Sequence, residues 1–253
     1  GDFFRIYSLY PNMELKSNEL CTSFPIELSS LDVGQKGLIG DGELLFEIIS
    51  IQSAYIDIKF LNDYELERRR AILFLNANFP LASLTQKDKE LLLQTELDYF
   101  DTLAVSFVES SEDIANIKSY LQETFDWHPK IVSKIETPLG IKNIHEICEV
   151  TDEVMVARGD LGVTTNYYSI FRIEETIINA TKEAGIPCIL ATHLLDSMIE
   201  GEKPTMSEII DISSAINLGF EGFMLSAETT IGKNPIKAFQ TLKDIITFQS
   251  EYI

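Results

Sequence analysis

Ile131-Val132-Ser133-Lys134-Ile135-Glu136-Thr137-Pro138-Leu139-Gly140 decides the fold when read with Val154-Met155-Val156-Ala157-Arg158-Gly159-Asp160-Leu161-Gly162. Each stretch starts apolar and stops at Pro or Gly, as a short buried strand running into a loop does. Lys134 and Glu136 stand two residues apart, which on a strand puts them on one face. Two successive strands therefore each end in a carboxylate, Glu136 and Asp160, with Lys134 between them. Hard oxygen donors of this kind suit Mg²⁺, which takes one or two carboxylates and fills its shell with substrate oxygens and water. Lys134 would carry the remaining negative charge of an anionic substrate. The competing reading is a buried ion pair between neighbouring strands, which explains any one of these residues better than all three together.

Outward from this pair the rhythm continues. Strand candidates at 103–107, 130–136, 153–159, 186–192 and 221–226 alternate with helical patterns at 112–124, 141–148, 170–184, 205–218 and 234–249. Thr85, Ser110-Ser111-Glu112-Asp113 and Pro204-Thr205-Met206-Ser207-Glu208 read as helix openings. A run of βα units implies a parallel sheet with helices outside it, and the apolar strand interiors suit strands buried on both faces. Polar residues gather just past the strand ends: Ser106 and Glu109, Lys134 and Glu136, Asp160, Thr192 and His193, Ser226 and Glu228. In a (β/α)₈ barrel that is the active-site face. The expected class is α/β of the TIM-barrel type, with five βα units over residues 81–253.

Residues 1–80 differ in texture. Phe3–Tyr10, Gly37–Glu43, Leu44–Ile49 and Ala54–Phe60 read as short strands between turns rich in Gly, Asn and Asp, so a separate β-rich domain is expected, hinged near Phe79-Pro80-Leu81. Asp41-Gly42 reads as a hairpin turn, and Arg68-Arg69-Arg70 as a solvated basic face with a phosphate contact as the sharper alternative. The 253 residues suffice for one large domain or two smaller ones. No apolar run reaches membrane-spanning length and no signal peptide opens the chain. Three scattered cysteines favour a reducing, cytoplasmic setting. A net charge of −20 argues against nucleic acid and anionic membrane as partners. It also means that an anionic substrate needs local compensation from a metal and a few placed cations.

Ser-Lys-Ile-Glu at 133–136, Val-Met-Val-Ala-Arg-Gly-Asp-Leu-Gly at 154–162, Ile-Leu-Ala-Thr at 189–192, Leu-Asp-Ser-Met at 195–198, Lys-Pro-Thr at 203–205 and Met-Leu-Ser-Ala-Glu-Thr at 224–229 together resemble pyruvate kinase. The likeness is continuous from Gln86 to the last helix; residues 1–80 resemble the family's small β-domain, its lid, more weakly. The resemblance implies Mg²⁺-dependent (or Mn²⁺-dependent) phosphoryl transfer between phosphoenolpyruvate and ADP, giving pyruvate and ATP in glycolysis. It implies Lys134 on the moving phosphoryl and the enolate, and Glu136 and Asp160 as metal ligands. It further implies that the Ala157-Arg158-Gly159-Asp160 turn and Thr192 receive the substrate carboxylate, and that Asp41 closes over the site. A homo-oligomer is also expected. Phosphoryl transfer is largely positioning and charge neutralisation, which agrees with the residue reading. A helix N-terminus after the Arg158-Gly159-Asp160 turn would add donors.

Departures accompany the likeness. Five strands are read where a barrel closes with eight, so three are expected before residue 1, with the family's potassium ligands and part of its nucleotide site. Glu109 stands where the family has a basic residue, His193 where it has glutamine, Ala227 where it has glycine, and Met206 where it has arginine. Thr164-Thr165-Asn166 replaces Glu-Ile-Pro. None of these falls in the Lys134, Glu136, Asp160 and Thr192 set. Two other readings remain: an inactive binding or interaction module, favoured by an open sheet edge, and a Mg²⁺-dependent C–C lyase acting on a pyruvate enolate.

Overall fold

The computed structural model describes residues 2–9, 14–22, 26–40, 42–66, 70–75 and 83–251. The chain divides into two compact units, Gly1–Leu81 and Ala82–Ile253. The expected hinge at Phe79-Pro80-Leu81 lies outside the described residues, as do Asp41, Arg68 and Arg69.

The first unit contains β1 (Phe3–Tyr7), β2 (Glu19–Cys21), β3 (Lys36–Ile39), β4 (Leu44–Ile51), β5 (Tyr55–Phe60) and β6 (Ile72–Phe74) in one sheet of order β2-β1-β5-β4-β3-β6. β1 and β2 run parallel and the other pairs antiparallel, so the sheet is mixed. The alternation expected of a half-buried strand is plain in β4, where Leu44, Phe46 and Ile48 are buried, and in β5, where Ile56, Ile58 and Phe60 are. A Cβ on Gly37 would overlap the Phe46 ring, so this glycine makes room for Phe46 to pack edge-on against Phe74. Ile39 pairs with Leu44 in the antiparallel β3–β4 pair, and the expected Asp41-Gly42 turn falls on a residue outside the described ones. Sequence patterning missed β2 and β6, each only three residues long, too short for a period of two to register. Arg70 pairs with Glu43 at 3.2 Å.

The second unit runs α1 (Gln86–Gln94), β7 (Thr102–Val105), α2 (Ser111–Phe125), β8 (Lys130–Ile135), α3 (Pro138–Lys142), α4 (Ile144–Cys148), β9 (Glu153–Ala157), α5 (Arg158–Thr164) and α6 (Ile170–Ala184). It continues with β10 (Cys188–Ala191), α7 (Ser197–Glu200), α8 (Met206–Leu218), β11 (Gly222–Met224), α9 (Ala227–Thr230) and α10 (Pro235–Ser250). The five strands form one sheet in the order β11-β10-β9-β8-β7, every pair parallel. Reciprocal capping boxes open α1 (Thr85 with Asp88), α2 (Ser110 with Asp113) and α8 (Thr205 with Glu208). Pro138 and Gly140 do not end a strand in a loop. Thr137 caps the Gly140 N–H and Pro138 takes the first helical position, so the segment starts α3.

The two faces of this sheet differ. Ile131 and Ile135, Val154 and Val156, and Cys188 and Leu190 pack into the main core beneath the helices, with Ile177 and Ile178 of α6. The intervening residues Val132, Met155 and Ala191 form a separate small cluster on the opposite face, with Ile189 against it. By the same alternation Lys134 belongs with Val132 on that inner face. The outer strands β7 and β11 are more exposed than β8, β9 and β10, and among the described residues no further strand pairs with either. The sheet is thus part of a barrel and not a closed one.

Gly140 shows how tightly the β7 loop is seated. A Cβ there would lie 2.6 Å from the Val108 carbonyl oxygen, a backbone atom that cannot swing aside. Gly140→Ala is expected to cost about 1–3 kcal/mol through overpacking. A thermal midpoint unchanged from the parent would mean that the loop yields freely.

Candidate functional site

Four successive strands, β7 to β10, end on the same edge of the sheet, and the expected residues collect there. Glu136 follows β8 directly and is fully buried. Its Oε2 accepts the Phe107 N–H at 2.7 Å, and Phe107 holds a left-handed backbone (φ 54°) just past β7. Its Oε1 lies 2.6 Å from Lys134 Nζ as an ion pair but accepts no aligned hydrogen bond. Lys134 Nζ donates to Ser106 Oγ at 3.0 Å. The Glu136 backbone carbonyl is held by Thr164 Oγ1 at 2.7 Å. Burial pushes the Glu136 carboxyl above its usual range; Lys134 and the Phe107 N–H pull it back, and the charge of Asp160 adds to the rise.

The second strand end differs from the expected glycine turn. Helix α5 begins at Arg158, directly after β9, so Arg158, Gly159 and Asp160 form its first turn. Asp160 is exposed. Gly159 N–H donates to Thr192 Oγ1 at 2.8 Å, joining α5 to the end of β10, and Thr192 Oγ1 donates to the Ala191 carbonyl at 2.6 Å. Lys134, Glu136, Gly159 and Thr192 are thereby tied to the ends of three neighbouring strands. Asp160 stands on the α5 turn beside them, close enough for its charge to act on Glu136.

The Arg158 side chain is engaged by the loop after β10 and by two helices. Its Nε and Nη2 donate to the Thr192 carbonyl at 3.1 Å each, and Nη2 donates to the His193 carbonyl at 2.7 Å. Nη1 pairs with Asp211 of α8 at 2.7 Å and lies 3.8 Å from Glu174 of α6. Thr192 and His193 both have positive φ, 69° and 54°. That is rare for any residue with a Cβ and rarest for a β-branched one, so the turn needs external support. Arg158 supplies it. Glu174 is buried behind the guanidinium, and burial pushes its carboxyl up to about 7, with Arg158 opposing the rise and Asp211 adding to it.

At the next strand end Glu228 is buried and accepts the Leu195 N–H at 3.0 Å and the Ser226 N–H at 2.8 Å, tying the loop after β10 to the loop after β11. Residue types alone gave no sign of Phe107, Thr164, Glu174 or Asp211 as neighbours of the site. Their contacts depend on backbone turns and on helix facing across long sequence separations. Asp41 lies outside the described residues.

Among the described residues no group of three or more His, Cys, Asp or Glu side chains comes together. That does not disfavour Mg²⁺, which needs only one or two protein carboxylates. The buried Glu136 carboxylate, with the Asp160 charge acting on it, offers oxygen donors of the kind a hard divalent cation takes. Cys148 and Cys188 are buried, and burial pushes both thiols up, so they remain protonated and unreactive.

Residues 9–239 match the family described as pyruvate kinase, barrel domain. The chain belongs to the pyruvate kinase family. It is 35% identical to a pyruvate kinase of Thermoplasma acidophilum over 232 residues, 89% of this chain and 42% of that protein. It is 34% identical to a pyruvate kinase of Thermotoga maritima over 236 residues, 92% of this chain and 50% of that one. A crystal structure of a pyruvate kinase from Cryptosporidium parvum superposes with a TM-score of 0.87 at 30% identity, covering all of this chain and 52% of its own. The chain therefore spans about half the length of the pyruvate kinases it matches. No helix among the described residues is long and apolar enough to cross a membrane.

Proposed function

We propose that this chain carries the phosphoenolpyruvate side of a pyruvate kinase site, for phosphoryl transfer between phosphoenolpyruvate and ADP. The observation that carries the reading is Lys134 paired at 2.6 Å with the buried Glu136, at the strand ends shared with Asp160 and Thr192. Lys134, held by Ser106, meets the phosphoryl group and then the charge left on the enolate oxygen. The Gly159 N–H and the Thr192 hydroxyl exchange their mutual contact for the substrate carboxylate, with further donors in the first turn of α5. Arg158 keeps the Thr192 turn in the conformation this requires. Glu136 and Asp160 hold the Mg²⁺ or Mn²⁺, which when bound supplies charge neutralisation on the substrate oxygens. Asp41 is the residue that the family likeness puts on the closing lid. The reading implies the cytoplasmic, glycolytic setting and homo-oligomeric assembly expected of the family, with K⁺ as its monovalent cation.

The test is to mix the chain with Mg²⁺, phosphoenolpyruvate and ADP, with and without K⁺. Formation of ATP and pyruvate supports the transferase. Phosphoenolpyruvate binding without ATP would support the second reading, a binding module, which the two open sheet edges favour. Absence of both would sink the reading. For the metal, Asp160→Ala is expected to weaken Mg²⁺ binding roughly tenfold to a hundredfold, at least the loss usual for an altered metal surrounding. Unchanged Mg²⁺ affinity by calorimetry would remove Asp160 from the site.

A further inference from the structure

Thr164 has no part in the reading above, yet it joins the two elements that carry the carboxylates. Its Oγ1 donates to the Glu136 backbone carbonyl at 2.7 Å; the Leu161 carbonyl is more distant at 3.5 Å, so the single hydroxyl hydrogen goes to Glu136. The Glu136 side chain is held separately, its Oε2 accepting the Phe107 N–H at 2.7 Å. Thr164 is the last residue of α5, and Asp160 lies one turn before it, so the two stand on one face of the helix. The hydroxyl that grips the end of β8 thus sets the Asp160 face of α5 against that end. The reach of the Asp160 charge to Glu136 accords with this placement. With Gly159 bonded to Thr192, α5 is pinned at both of its ends, to β10 by the first turn and to β8 by the last residue. Thr164 also opens the Thr164-Thr165-Asn166 run that replaces the family's Glu-Ile-Pro. An ionised glutamate has no hydrogen to give a carbonyl, so this tie is the chain's own.

We propose that Thr164 is a positioning residue for the divalent cation, fixing through the Glu136 carbonyl the separation at which Glu136 and Asp160 present their carboxylates. The inference rests on the proposed metal reading and deepens it. Two carboxylates on different elements can share a cation only at the spacing those elements hold. Mg²⁺ demands near-octahedral ligands at about 2.0–2.1 Å, whereas Ca²⁺ accepts a flexible shell at about 2.3–2.6 Å. A fixed spacing therefore favours Mg²⁺, and a loosened one costs Mg²⁺ more than Ca²⁺. The Thr164 hydrogen is spent on the carbonyl, so the residue acts through the backbone of Glu136 and through α5.

Calorimetric titration with Mg²⁺ and, separately, with Ca²⁺ tests this without any turnover. Thr164→Val keeps the shape and removes the donor; it is expected to bind Mg²⁺ about tenfold more weakly, the loss usual when a group supporting a metal ligand is removed. Ca²⁺ affinity should stay within about twofold of the parent. Thr164→Ser, which restores the hydroxyl, should recover Mg²⁺ binding. Thr164→Ala also lacks the donor and takes the place of the valine variant if that one does not fold. Because Thr164 acts by placing Asp160, its effect should vanish in an Asp160→Ala background, where there is no second carboxylate left to place. Equal losses for Mg²⁺ and Ca²⁺, no rescue by serine, or additive effects of the two substitutions would make Thr164 a structural residue only. So would unchanged Mg²⁺ binding in Thr164→Val when Asp160→Ala alone weakens it, and the metal reading would then stand without the inference. If the parent chain binds no Mg²⁺, or Asp160→Ala binds it as the parent does, the metal reading falls and takes the inference with it.

Discussion

Lys134→Met is expected to remove phosphoryl transfer while phosphoenolpyruvate still binds. On the proposed reading the residue meets the developing charge; it lies 2.6 Å from the buried Glu136 and is only partly exposed. One well-placed cation on developing charge is worth about 3–4 kcal/mol, a hundredfold to a thousandfold in rate. A contact made only in the transition state lowers kcat and kcat/KM together, whereas a ground-state contact raises KM alone. Lys134 is also the cation beside Glu136, so the variant will lose some stability, and unfolding must be measured alongside turnover. A large loss of kcat with the protein folded and substrate bound supports the role. Turnover within a few-fold of wild type would leave Lys134 as a structural ion-pair partner of Glu136.

The parallel sheet was legible because its physics is local. Buried central strands give unbroken apolar runs such as Ile131–Ile135 and Val154–Ala157, and capping residues such as Thr205 with Glu208 mark helix starts in the sequence itself. Parity alone put Lys134 and Glu136 on one face, and their 2.6 Å contact is what that parity requires. Beyond such short spacings the sequence was silent. The Arg158-Gly159-Asp160 run read as a turn, because a glycine after a strand usually stops it; here α5 starts without a loop, and its first turn carries the glycine. Nothing in a Thr-His pair announces two consecutive left-handed residues. That conformation is imposed by Arg158, Asp211 and Glu174, brought together from three helices. The Phe107 N–H on Glu136 has the same origin, a backbone turn on the neighbouring strand.

The Arg158 network yields the second large effect, and its sign depends on pH. Arg158→Met strips the cation from the buried Glu174 and takes the donors from the Thr192 and His193 carbonyls. Removing one partner of a buried ion pair costs about 3–5 kcal/mol, because the other charge is left behind without compensation. In the wild type the Glu174 carboxyl is raised to about 7. A carboxyl raised in the folded state contributes stability that is complete below its unfolded value, about 4.3, and is lost as the pH rises through the folded one. Arg158 opposes that rise. Without it the folded value climbs further, and more stability is lost above neutral pH. The variant should therefore be destabilised more at pH 8 than at pH 5, as read by urea unfolding at both. Adding Glu174→Gln, which cannot ionise, should narrow the gap between the two pH values while leaving the loss from the Thr192 turn. An equal loss at pH 5 and pH 8 would mean that Glu174 is not the charge Arg158 balances, and that its work lies in holding the turn alone.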